Sequence, residues 1–207
     1  MGSKRGRREE EEDVDVTELQ DYLKNEETKL RDGSKEVLNK ELITRIEAVK
    51  ALESRTIEQG SFAKALESGV VQECRVELTA CFRVGVRLES WLNTYTPPLS
   101  SGGNAGVSAE VQDGIYQNVH SLTQGCGEAL HRMLAFEKEH AVMRTKCTDD
   151  DVWNRYKAVL EDNQMHDLCK SVMQLHSDLL MIGNSICNNL SHLRADIKED
   201  RAAVAMY

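Results

Sequence analysis

Proline occurs only twice in the 207 residues, as Pro97-Pro98, and aromatic side chains make up 5% of the chain. So few breakers and so few strand-favouring rings argue against a sandwich or barrel and for long helices. No apolar run approaches the roughly 20 residues of a membrane span, and no apolar signal region is present. Without an export signal, the sequon Asn189-Leu190-Ser191 reads as chance. The six cysteines (Cys74, Cys81, Cys126, Cys147, Cys169, Cys187) contain no Cys-x-x-Cys pair. That spacing excludes a tight zinc site and a disulfide framework, so the thiols are expected reduced, most of them on apolar helical faces of an intracellular protein. Basic residues are in the minority, 26 against 35 acidic ones, for a net charge of −9. An acidic balance argues against nucleic acid as the main partner.

Catalytic signatures are missing as well. There is no Gly-x-x-x-x-Gly-Lys-Ser/Thr phosphate loop, no His-Glu-x-x-His and no Gly-x-Ser-x-Gly elbow. A di-iron bundle needs two Glu-x-x-His motifs with two further inward glutamates. Glu137 to His140 has that spacing, at a charged helix end, and it reads as a solvated face. The other histidines show no i,i+4 pairing with one another. The chain is therefore expected to be no enzyme, with no catalytic residue, no cofactor and no metal.

What is present is apolar periodicity. Residues 1–16, a basic cluster followed by an acid run, have no face to bury and are expected to form a disordered charged tail. Residues 17–200 read as an all-α, elongated antiparallel four-helix bundle. The first helix runs from Thr17 to about Glu58, with a stripe of Leu19, Leu23, Leu30, Leu38, Leu42, Ile46, Val49 and Leu52. Asp32-Gly33-Ser34 predicts a break in it, with Ser34 capping the segment on its C-terminal side. After Gln59-Gly60-Ser61 the second helix carries Phe62, Leu66, Val70, Cys74, Leu78, Cys81, Leu88 and Leu92. The third starts near Val111 and runs through Ile115, Val119, Leu122, Cys126, Leu130 and Met133 to Leu134. Thr148 to Asp151 offers caps for the fourth, which extends from Val152 past Val159 to Ile197. Glycines at 69, 85, 114, 125, 127 and 183 lie inside these patterns and hint at close packing, within the bundle and against a neighbouring subunit.

The junction between the second and third helices, Trp91 to Val111, is longer than a bundle turn of two to eight residues requires. Pro97-Pro98 ends one helix, and Gly102, Gly103, Asn104 and Gly106 permit a shaped loop, at about residues 97–107, that is expected to act on something. Residues 201–207, Arg-Ala-Ala-Val-Ala-Met-Tyr, leave the helical pattern and end small, apolar and aromatic. Such a segment suits extended capture in a groove, with the carboxylate and phenol as polar handles.

Trp91-Leu92, Pro97 six residues after the tryptophan, and Gly102-Gly103-Asn104-Ala105-Gly106-Val107 resemble the activation loop of the 11S (REG) proteasome activators. The resemblance extends over about Gly69 to Tyr207, with Val159 and Glu161 in register and a terminal Met-Tyr, and loosely over the first helix. Pro98-Leu99-Ser100-Ser101 and Ile197-Lys198-Glu199-Asp200 depart from the family pattern, and the charged insert of animal members is absent. The resemblance implies a ring of seven subunits, of one type or two, that caps the α-ring of the 20S proteasome without hydrolysing ATP. It implies that Ala205, Met206 and Tyr207 dock in pockets between α-subunits while Pro97, Gly102, Gly103, Asn104 and Gly106 press on the gate. Cytoplasmic or nuclear residence is expected with such a partner, and no membrane or nucleic-acid partner. The alternative is an oligomeric helical scaffold or adaptor that binds no protease.

Overall fold

The computed structural model describes residues 16–95 and 105–193, and every element among them is helical. The helices are α1 (Thr17–Glu36), α2 (Leu42–Gln59), α3 (Phe62–Glu67), α4 (Val70–Tyr95), α5 (Ala105–Lys146) and α6 (Asp150–Leu193). A π-helical turn, Val37–Glu41, joins α1 to α2 without a change of direction, because its flanking residues keep right-handed helical geometry. The expected break at Asp32-Gly33-Ser34 is therefore absent. Ser34 caps nothing: it is 3% exposed, and its hydroxyl donates to Leu30 O at 2.7 Å, inside the helix.

Gly69 behaves in the opposite way. Its φ of 81° lies in the left-handed region, so it separates α3 from α4 where an unbroken second helix was expected. Gly60, at φ 66°, ends α2, and the Ser61 side chain accepts from the Lys64 amide to start α3. Asp149 fulfils the expected cap of the last helix: its Oδ1 accepts from the amides of Asp151 (2.8 Å) and Val152 (3.1 Å). At 44 residues α6 is about 66 Å long at 1.5 Å per residue. Asn189, at φ −119° and ψ 17°, kinks it near its end.

Four rods result: α1 with α2, α3 with α4, α5, and α6. Cross-contacts fix their directions. Arg45 meets Glu77, Gly85 meets Thr123, Arg132 meets Ser171, and Gly183 meets Leu42. Second contacts join Arg87 with Glu41, His120 with Glu89, Tyr156 with Glu139 and His176 with Glu53. Sequence number thus rises along one partner as it falls along the other, so each neighbouring pair is antiparallel. Rods one and three do not form a packed pair, whereas α4 and α6 touch across the diagonal. Leu52, Leu78, Leu88, Leu122, Leu168, Leu179 and Ile182 fill the centre, none more than 2% exposed. Removing any one of these to Ala belongs to the class of changes that cost about 2–5 kcal/mol.

Some stripes expected in the core lie outside it. Leu19 and Leu23 are 56% and 55% exposed, because the first turns of α1 have little packed against them. Leu134 and Val159 are exposed as well, at 57% and 63%, on outward faces of α5 and α6.

Candidate functional site: the open end of the bundle

Antiparallel packing sorts the connections between two ends. Short turns at residues 60–61 and 147–149 close one end. The start of α1, the end of α4, the start of α5 and the end of α6 all lie at the other. Both segments singled out in the sequence, the junction after Tyr95 and the chain after Leu193, therefore leave the bundle from one end.

Trp91 and Leu92 lie beneath that junction, 8% and 3% exposed, in the same core as Leu88, Ile115, Ile186 and Leu193. Their first task is packing: they hold the last turns of α4 against the bundle. Just below them α4 is tied on both sides. Arg87 donates from Nη1 to Glu41 Oε2 (2.5 Å) and from Nη2 to the carbonyl of Gly33 (2.9 Å). Glu36 adds a third contact at 3.8 Å. Toward α5, His120 Nδ1 pairs with Glu89 Oε1 at 3.3 Å while its ring stacks on Tyr116. These ties set the ends of α4 and α5 side by side, so the intervening residues 96–104 bridge two fixed points.

Helix α5 begins at Ala105, earlier than the expected start near Val111. Gly106 therefore stands in the first turn of a helix, and the connection is shorter than its sequence suggested. Pro97, Gly102, Gly103 and Asn104 lie outside the described residues, as do Ala205, Met206 and Tyr207. The structure brings together the helix ends that carry these residues. Sequence reasoning did not find Arg87, whose isolated position in an amphipathic pattern gives no sign of the carbonyl it reaches.

The cysteines are free thiols. Burial pushes Cys74 up to about 11 and Cys126 to about 12, and it raises Cys81 further still. Such thiols are poor nucleophiles and act as small apolar side chains. Cys169 is half-buried against the core, whereas Cys147, half-buried, and Cys187, exposed, depart from the expected core role. Among the described residues no three His, Cys, Asp or Glu side chains converge as a metal set, and no helix is long and apolar enough to cross a membrane.

No family sequence model and no curated protein matches the chain. Among solved structures, the 11S subunit of the Plasmodium falciparum proteasome, PA28, superposes with a TM-score of 0.67 at 11% identity. The match covers 92% of this chain and 99% of the Plasmodium one. The chain thus shares the fold of that 11S subunit over most of its length.

Proposed function

We propose that this protein is an ATP-independent activator of the 20S proteasome and has no catalytic activity of its own. Ala205, Met206 and Tyr207 dock in pockets of the α-ring, and the loop of Pro97, Gly102, Gly103, Asn104 and the adjoining Gly106 displaces the gate. The observation that carries this reading is the common end from which both segments leave the bundle, since an activator must anchor and push on the same surface. The 11S fold and the Trp91-to-Asn104 spacing support it independently.

One tail binds weakly, and joining several in a ring raises avidity by about 10²–10⁴ without new contacts. A ring needs two outward faces that fit each other. Helices α4 and α6 occupy opposite corners of the bundle, and both expose apolar side chains, Phe82 and Val86 on one, Leu180 and Met181 on the other. A homomeric ring of seven, or a mixed ring, would seat these faces together, in the cytoplasm or nucleus where core particles occur.

The test is peptide hydrolysis by latent 20S proteasome without ATP. Full-length protein should stimulate it, a form lacking Tyr207 should neither bind nor stimulate, and Asn104→Tyr should bind without stimulating. Stimulation that survives the loss of Tyr207 would refute the anchor. A ring that leaves the core particle unbound would favour the scaffold reading, which the exposed apolar faces fit equally well.

A further inference from the structure

The closed end of the bundle holds a cleft of about 220 Å³ between α3, α4, α5 and α6. Its floor is apolar. Phe62 and Phe136 meet edge to face with centroids 4.8 Å apart, and Met133 and Val71 complete the surface. His140 continues the aromatic wall, 5.9 Å from Phe136, and Trp153 backs it at 5.0 Å. In a chain so poor in aromatic residues, this gathering is the largest concentration of rings among the described residues.

The polar groups of the cleft differ in how well they are engaged. Arg75 is held by Glu137 in an ion pair, so the guanidinium is already matched. Glu161 has only a one-turn pair with Lys157 at 3.5 Å, a weak arrangement beside solvent. Gln164 is 6% exposed, and among the described residues its amide has no hydrogen-bond partner. The other cavity it borders holds about 10 Å³, at the lower limit for one water, so room for a partner lies in the larger cleft. The Gln164 amide atoms are not fully enclosed, so a bound group can take the place of water on them.

We infer that this cleft binds a small organic ammonium ion carried on an apolar or aromatic body. The ammonium would donate to Glu161 and to the Gln164 carbonyl oxygen, and the body would lie on Phe62 and Phe136. Cations favour aromatic faces and carboxylates, and the one guanidinium that would attract an anion is occupied. The volume is below the roughly 300–1,000 Å³ of drug-sized sites, which limits the ligand to about the size of one large side chain. Along α6 the cleft at Gln164 is about 44 Å from Leu193, near the opposite end of the bundle. None of the residues assigned to proteasome binding lines the cleft, so the inference stands apart from that reading.

Phenethylamine is the probe. Titrated into the full-length protein, it should saturate with a Kd on the order of 0.1–1 mM and change the emission of Trp153 behind His140. Phenylacetate, of the same shape and opposite charge, should not saturate. Glu161→Gln and Gln164→Leu should each weaken phenethylamine roughly tenfold. Glu161 is half-buried and its amide isostere keeps the fold, so that arm decides the matter even if Gln164→Leu lowers helicity. Absence of saturable binding, equal binding of phenylacetate, or an undiminished affinity of Glu161→Gln would overturn the inference.

Discussion

Gly85 marks the tightest approach of α4 to α5. A β-carbon there would stand 2.4 Å from Thr123 Oγ1 and 3.3 Å from its Cβ, and the Thr123 hydroxyl is already committed to Val119 O. Gly85→Ala should therefore destabilise the protein by about 1–3 kcal/mol, the range for forcing extra volume into a packed core. Gly125, with open space where its side chain would be, should gain up to about 1 kcal/mol on the same change. Paired thermal melts check both, and equal shifts would contradict the close approach. The glycine pattern in the sequence could not separate these two cases, because helix propensity is the same at both and only the neighbouring helix differs. Asp178 offers a second residue-level check. Burial raises its carboxyl above the usual value, outweighing the Gln174 hydrogen bond that lowers it. A raised acid favours the folded state while protonated and loses that advantage as pH rises through its folded value. Asp178→Asn should hence raise the melting temperature at neutral pH, and the gain should vanish near pH 4.

Whether a helix breaks at a glycine is decided one level up, by the element it belongs to. Gly33 and Gly69 each sit beside a serine in an amphipathic pattern, yet one helix continues and the other stops. Arg87 holds the Gly33 carbonyl in place and Ser34 bonds back within its helix, whereas burial of Ala65 and Val70 on either side of Gly69 demands a change of direction. Neither cause can be read from local residue types. Long apolar stripes were legible, since a 3.6-residue period identifies a helix wherever a core face exists. Helix starts were less so: nothing at Ala105 signals that α5 begins before its first core residue, Ile115. Arg87→Leu should cost about 1–2 kcal/mol and, more specifically, expose the amides of Val37–Glu41 to faster hydrogen exchange. Unchanged protection in that turn would mean the clamp is not what stabilises it.

At the scale of the whole molecule, the four-rod architecture was legible from the spacing of the stripes and the shortness of two turns. The seat of Trp153 was not, since its ring is enclosed by His140, Arg144 and Tyr156 from two helices. The candidate loop and tail were recognisable as residues, but their shared exit became visible only once the rods were shown to alternate. The ring is the prediction that belongs here. Native mass spectrometry at micromolar protein should find an oligomer without any core particle, and Phe82→Glu on α4 should reduce it to monomers while helicity persists. A monomer for the unmodified protein would contradict the proposed assembly.

That alternation also tells an experimenter where to attach a handle. A fluorophore or affinity tag joined before Val16 or beyond Leu193 would crowd the surface that the proposal assigns to the core particle. The turn of Cys147, Thr148 and Asp149 lies at the far end of the rods, so a tag inserted at Thr148 would stand clear of that surface and leave the Asp149 cap in place.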